Sequence, residues 1–408
     1  MLDLLFLFLI CIGLTLDPTA VPKLFNKYQL GETCEDNKYS IVLDAGSTGS
    51  RIHVYRFCGT LKNEIFEQTT PGLSTLGADE GGPSIVNLVQ VALDSIPSHL
   101  HKCTPIQLQA TAGLRLLPDG GHAIIKRIKQ IFSYYPFYML QVEVMSGIDE
   151  ALFAWLTINY LAENFKKTAA IIDLGGASTQ IVFENADYTT KYTYLSDYEL
   201  YANSFLGYGL HEALDTVKET MGVFDNPCLN EGVKDYFNKH GKSAVFHGPK
   251  VSKDGPLKCR DMIYGKLFLK HEECEEEEIV PCRMNLHFPS IDDFTNDIYA
   301  FSYIYDLTHL DGMKFKEKST INAIIELQQQ LCDYTLKKAN LIENVVQLRE
   351  KKPLACMQLS YVVELLLKGY GLKETRELII VKKMKDLETG WALGAALKSL
   401  DTVKTCQN

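Results

Sequence analysis

Two short stretches carry residues whose types and spacing could handle a phosphate. The first is Asp44-Ala45-Gly46-Ser47-Thr48-Gly49-Ser50-Arg51, the second Asp173-Leu174-Gly175-Gly176-Ala177-Ser178-Thr179-Gln180. Hydroxyls and bare backbone N–H groups in such a turn can wrap an anion. Gly46 and Gly49 are expected to carry the backbone through φ > 0 and to permit close approach. The leading aspartate repels phosphate, so it makes sense only if a divalent cation stands between the two. One such turn is more often an ordinary hairpin. Two with the same acid–glycine–hydroxyl grammar, 129 residues apart (173 − 44), indicate a duplicated fold whose halves face each other over one phosphate chain.

The elements that must position these turns are strands. Tyr39-Ser40-Ile41-Val42-Leu43 reads as a buried strand, and Ile52 to Phe57 returns with alternating polarity. Ala169 to Ile172 and Ile181 to Phe183 repeat the pattern. Pro105–Ala110 and Gln141–Met145 read as further strands, and Ile298–Asp306 as an aromatic one. Thr69 to Pro83, rich in turn residues, reads as loop. Helical periodicity follows over 84–100, 151–163, 211–221, 319–336 and 354–368. A last helix opens after Glu388-Thr389-Gly390-Trp391. Glu150 falls where a strand passes into a helix, the rim of a cleft in an α/β fold. On spacing alone it reads as a helix-start glutamate complementing the dipole.

At 408 residues the chain exceeds a single core, so two domains are expected. A net charge of −10 and the lack of a basic stripe argue against nucleic acid. The apolar run Leu4–Leu16, with Pro18-Thr19-Ala20 after it, fits a secretory signal over 1–20; a retained anchor and a buried helix remain alternatives. Eleven cysteines leave ten after that segment, an even number consistent with a disulfide set. The acidic run between Cys274 and Cys282 reads as a solvated loop, with a metal site as the alternative.

The chain resembles the nucleoside triphosphate diphosphohydrolase (apyrase) family. Both turns carry the likeness, as do Ala110–Leu117, Ser146–Glu150 with Trp155–Leu161, and Gly390–Ala395, five regions in order. The resemblance implies an α/β fold of two RNase H-like domains of the actin/hexokinase type, with the active site in the cleft between them. It places residues 38–166 plus 388–408 in the first domain and 167–387 in the second. It implies Glu150 as catalytic base, with Ser178 and Gln180 orienting a water. Ser47, Thr48, Gly49, Ser50, Arg51, Gly175, Gly176, Ala177 and Ser178 would bind phosphate. Asp44 and Asp173 would hold Mg²⁺ or Ca²⁺ through waters. Arg115 stands open between a surface position and an architectural or phosphate-facing one. Tyr305 is a candidate for stacking on the base, or a core aromatic. Disulfides Cys228–Cys259 and Cys332–Cys356 are implied.

The likeness is to the soluble diphosphatase branch, whose members prefer UDP, GDP and IDP. Cell-surface triphosphatases have an arginine near the position of Leu210, and leucine cannot make its cation–π contact. The expected protein is a monomer without a stable membrane span, secreted or in the lumen of the endoplasmic reticulum or Golgi. It hydrolyses nucleoside diphosphates to the monophosphate and phosphate. The alternatives are a broader apyrase acting on ATP and ADP, and a kinase-like or nucleotide-binding protein without hydrolysis.

Overall fold

A computed structural model describes residues 37–185, 195, 197–222, 225–239, 241–250, 254–269, 291–310, 313, 315–335 and 345–400. The expected signal, the acidic run between Cys274 and Cys282 and the chain after Leu400 lie outside the described residues.

The described strands are β1 Lys38–Ala45, β2 Ser50–Cys58, β3 Thr60–Thr69, β4 Pro105–Ala110, β5 Tyr138–Val144, β6 Ala170–Leu174, β7 Ser178–Glu184, β8 Leu200–Leu206, β9 Lys234–Lys239, β10 Lys242–His247, β11 Ile298–Ser302, β12 Lys318–Thr320, β13 Glu377–Ile380, β14 Lys383–Met384 and β15 Leu387–Glu388. They form one sheet in the order β3-β2-β1-β4-β5 and a second in the order β12-β13-β11-β6-β7-β8, with β9–β10 and β14–β15 as separate ribbons. Each large sheet is built the same way. Three strands run as an antiparallel meander, β1–β3 or β6–β8. Two more are then added in parallel beside the first strand, β4 and β5 or β11 and β13. Parallel addition requires crossovers, and helices supply them. This is the RNase H-like order, present twice, as expected.

Strands β4 and β6 are buried at every residue, as expected of strands covered on both faces; β4 keeps Gln107 and Gln109 inside, where Gln109 Nε2 donates to Gln107 Oε1 at 2.8 Å. Helices Leu73–Ser84, Val86–Ser95 and His122–Phe132 cover the outer face of the first sheet. Helices Leu210–Thr220, Gly255–Leu267, Ile321–Cys332 and Ala355–Glu364 cover the outer face of the second. Between the sheets lie two helices, Gly147–Ala162 against β6–β8 and Ala392–Ser399 against β1. They touch so closely that a Cβ on Gly394 would stand 2.1 Å from the Phe153 carbonyl oxygen. Cys228–Cys259 and Cys332–Cys356 are both disulfide-bonded, and Sγ of Cys259 and Cys356 lie 3.9 Å apart in the outer core of the second sheet.

Three expectations change. The glycine-rich stretch after Thr69 is helical over Leu73–Ser84, with a break at Gly77. Its buried Gly82 lets the neighbouring helix approach, since a Cβ there would meet Arg127 Cγ at 2.7 Å, so a packing glycine was read as a turn glycine. The aromatic strand stops at Ser302, and a helix begins at Tyr303. Gly46 and Gly49 are not among the positive-φ residues; the first turn uses them for closeness instead, a Cβ on Gly49 falling 2.6 Å from the Thr69 carbonyl oxygen.

Candidate active site

The two turns, 46–49 between β1 and β2 and 175–177 between β6 and β7, meet at one place. A Cβ on Gly176 would lie 2.4 Å from Ser47 Oγ, so only glycine lets the second turn come this near the first. Around this junction opens a cleft of about 520 Å³. Asp44, Ser47, Thr48 and Arg51 line one wall, Asp173, Gly175, Gly176 and Tyr303 the other, and Glu150 lies between them.

The hairpin register puts Asp44 opposite Arg51, and Arg51 Nη1 donates to Asp44 Oδ2 at 2.9 Å. Asp173 is opposite Gln180, and its carboxylate accepts from Ser302. Ser302 has φ 58° at the end of β11, a conformation L side chains rarely adopt, and there its hydroxyl meets Asp173. Burial pushes the Asp173 carboxyl up to about 6; Ser302 opposes this, Asp44 adds to it and Arg51 opposes it. Oδ1 of Asp44 and Oδ1 of Asp173 are buried, with no hydrogen-bond partner among the described residues. Two carboxylates facing one cleft with an orphaned oxygen each suit a hydrated divalent cation.

Glu150 lies in the first turn of the helix Gly147–Ala162, one turn earlier than the helical pattern indicated. Ser146 caps that helix, its Oγ accepting from the Asp149 N–H at 3.0 Å, and Asp149 points to this cap rather than into the cleft. Burial pushes the Glu150 carboxyl up to about 7; Arg115 pulls against it, while Asp173 and Asp44 add to it. Arg115 is therefore no surface residue. Its Nη2 donates to Glu150 Oε2 at 2.6 Å and to Ser178 Oγ at 3.3 Å, and its Nη1 to the Met145 carbonyl at 3.4 Å. Gln180 Nε2 donates to Ser178 Oγ at 2.7 Å and to Ser204 Oγ at 2.9 Å. Arg115, Glu150, Ser178 and Gln180 thus form one linked group.

Of the expected phosphate ligands, Ser47, Thr48, Arg51, Gly175 and Gly176 line the cleft. Gly49, Ser50, Ala177 and Ser178 do not; Ser50, Ala177 and Ser178 are buried behind it. Tyr305 does not line it either: its ring is stacked on His309, with centroids 4.1 Å apart and planes 8° from parallel. The aromatic on the cleft wall is Tyr303, whose hydroxyl is hydrogen-bonded to Thr48 and lies 2.8 Å from His211 Nε2. Leu210 is fully buried and brings no charge to the wall. Sequence reasoning missed Ser302, Tyr303, Asp306, Lys382 and Lys383 as cleft residues. For Ser302, Tyr303 and Asp306 the available signal was the aromatic run 298–306, where a strand read through to 306 hides the junction; Lys382 and Lys383 lie outside that run.

A profile of the GDA1/CD39 (nucleoside phosphatase) family matches residues 31–408. A guanosine-diphosphatase of Candida albicans is 35% identical, over 90% of this chain and 72% of its own length. A nucleoside diphosphate phosphatase of Homo sapiens is 34% identical, over 90% of this chain and 88% of its own length. The crystal structure of nucleoside triphosphate hydrolases from Neospora caninum superposes with a TM-score of 0.61 at 13% identity, covering 90% of this chain and 94% of that one, a likeness of fold.

Proposed function

The chain belongs to the GDA1/CD39 (nucleoside phosphatase) family, and from that premise we propose that it is a nucleoside diphosphatase, cleaving GDP, UDP or IDP to the monophosphate and phosphate. The observation that carries this reading is the buried Glu150, raised to about 7, standing between two glycine–hydroxyl turns. Ser47 and Thr48 with the Gly175–Gly176 backbone hold the terminal phosphate from two sides. Ser178 and Gln180 orient a water at Glu150. The water oxygen attacks the terminal phosphorus and its proton passes to a Glu150 oxygen. The bridging P–O bond breaks, and the nucleoside monophosphate leaves with the electron pair. Arg115 holds Glu150 in place and keeps part of its population ionised at neutral pH.

Enzymes of the family generally need a divalent cation. Here Asp44 and Asp173 would hold Mg²⁺ or Ca²⁺ through waters. Bound there, the cation supplies charge neutralisation on the phosphate chain.

We place residues 38–166 and 388–408 in one domain and 167–387 in the other, with helices Gly147–Ala162 and Ala392–Ser399 as the shared layer. The run Leu4–Leu16 supports entry into the secretory pathway, and among the described residues no helix is long and apolar enough to cross a membrane. A monomer is proposed.

The test is phosphate release from GDP, UDP, ADP and ATP, with Mg²⁺ or Ca²⁺ and with a chelator. Metal-dependent release from GDP and UDP, with ATP slow, is expected. Fast turnover of ATP would instead indicate a broad apyrase, and no release from any nucleotide would indicate a binding protein.

A further inference from the structure

A nucleoside diphosphate whose terminal phosphate sits at the two turns must lay its base farther along the same cleft. Tyr303 marks the phosphate end of one wall, through its contact with Thr48. Three residues onward, about 4.5 Å along the helix axis, Asp306 lines the cleft, and Lys382 lines it alongside. Lys382 Nζ stands 3.4 Å from Asp306 Oδ1, and the two side chains are 54% and 50% exposed. An ion pair this exposed adds little to stability. The second oxygen of Asp306 has no partner among the described residues, and an ammonium group has three hydrogens to donate. The neighbouring Lys383 is already engaged by Glu388 at 2.9 Å.

We propose that the Asp306–Lys382 pair reads the lactam edge of the base. The ring imino N–H donates to the Asp306 carboxylate, and the adjacent ring carbonyl accepts from the Lys382 ammonium. This rests on the diphosphatase reading above. Guanine and hypoxanthine carry that edge at N1–H and O6, uracil at N3–H and O4. Adenine and cytosine carry its inverse, a ring nitrogen lone pair beside an amino group. Against them the carboxylate would face a lone pair and the ammonium an N–H, so both contacts become repulsive or unmade. The donor and acceptor are adjacent on the base, and a pair of side-chain atoms 3.4 Å apart can meet both with bonds of ordinary length. One ion pair thereby admits three bases and refuses two.

The experiment compares kcat/KM for GDP, UDP, ADP and CDP in the wild-type protein, Asp306→Asn and Lys382→Met. Wild-type preference for GDP and UDP over ADP and CDP is expected. Asp306→Asn should lower kcat/KM for GDP and UDP by roughly tenfold or more, while ADP and CDP hold or rise. Lys382→Met should act in the same direction. An equal fall for all four nucleotides, or an unchanged GDP to ADP ratio, would overturn the proposal while leaving the hydrolase reading intact. A wild-type protein inert toward all four would overturn the hydrolase reading itself. Both side chains are half exposed, so the variants should keep the wild-type unfolding temperature, which is measured alongside.

Discussion

Glu150 is held between burial, which favours its proton, and Arg115, which favours its charge. With a carboxyl near 7, the ionised form that the proposed mechanism requires is lost as pH falls through that value. The pH profile of kcat/KM should therefore show an acid limb near 7. Glu150→Gln should reduce phosphate release by about 10²–10⁴-fold and leave nucleotide binding, measured by calorimetry, close to wild type. Arg115→Met removes the cation that pulls the carboxyl down, so the acid limb should move to higher pH with a loss in kcat. A limb that stays in place would show that Arg115 does not govern the ionisation of Glu150. The type and position of Glu150 were legible once the flanking motif was recognised. Its partner was not, because Arg115 lies 35 residues away and nothing local to either residue points to the other.

At the scale of elements, the hairpins were legible and the glycine-rich helix was not. A buried strand followed by a polar turn and a return strand is written in consecutive residues, and both β1–β2 and β6–β7 form as read. The helix Leu73–Ser84 depends on another helix: its Gly82 makes room for Arg127 and Ile131, which local sequence cannot reveal. The same logic governs Gly394, pressed against the backbone of Phe153. Gly394→Ala should destabilise the protein by about 1–3 kcal/mol, read as a lower urea midpoint with an unchanged slope. It should also lower activity, because the helix Gly147–Ala162 that it displaces carries Glu150. A wild-type midpoint would contradict the close packing of these two helices.

At the scale of the whole molecule, the cleft exists because two copies of one sheet order bring their turns together, with two helices packed between the sheets. Bringing two aspartates and a glutamate into one buried place has a cost in stability. Asp173 at about 6 and Glu150 at about 7 stay protonated in the folded state where the unfolded chain has already ionised them. With a chelator present, stability should therefore fall as pH rises from about 4 towards 7. A divalent cation should reverse this at neutral pH, by about 2.7 kcal/mol at a hundredfold excess over its Kd. Asp173→Asn should blunt that gain in thermal unfolding experiments, and an undiminished gain would place the cation elsewhere. The two glycine–hydroxyl turns and the acidic pair at their heads could be read from the chain alone, because each is encoded by neighbouring residues through strand period and turn chemistry; the fold class followed from the family resemblance that these turns carry. Packing chose Tyr303 over Tyr305 for the cleft wall, since the strand ends at Ser302 and the helix turns Tyr305 onto His309. It also joined Arg115 to Ser178 and Asp306 to Lys382 across 63 and 76 residues. Arg115 and Ser178 meet because the two sheets face one another, Asp306 and Lys382 because they follow the neighbouring parallel strands β11 and β13 of one sheet, and no local periodicity carries either fact.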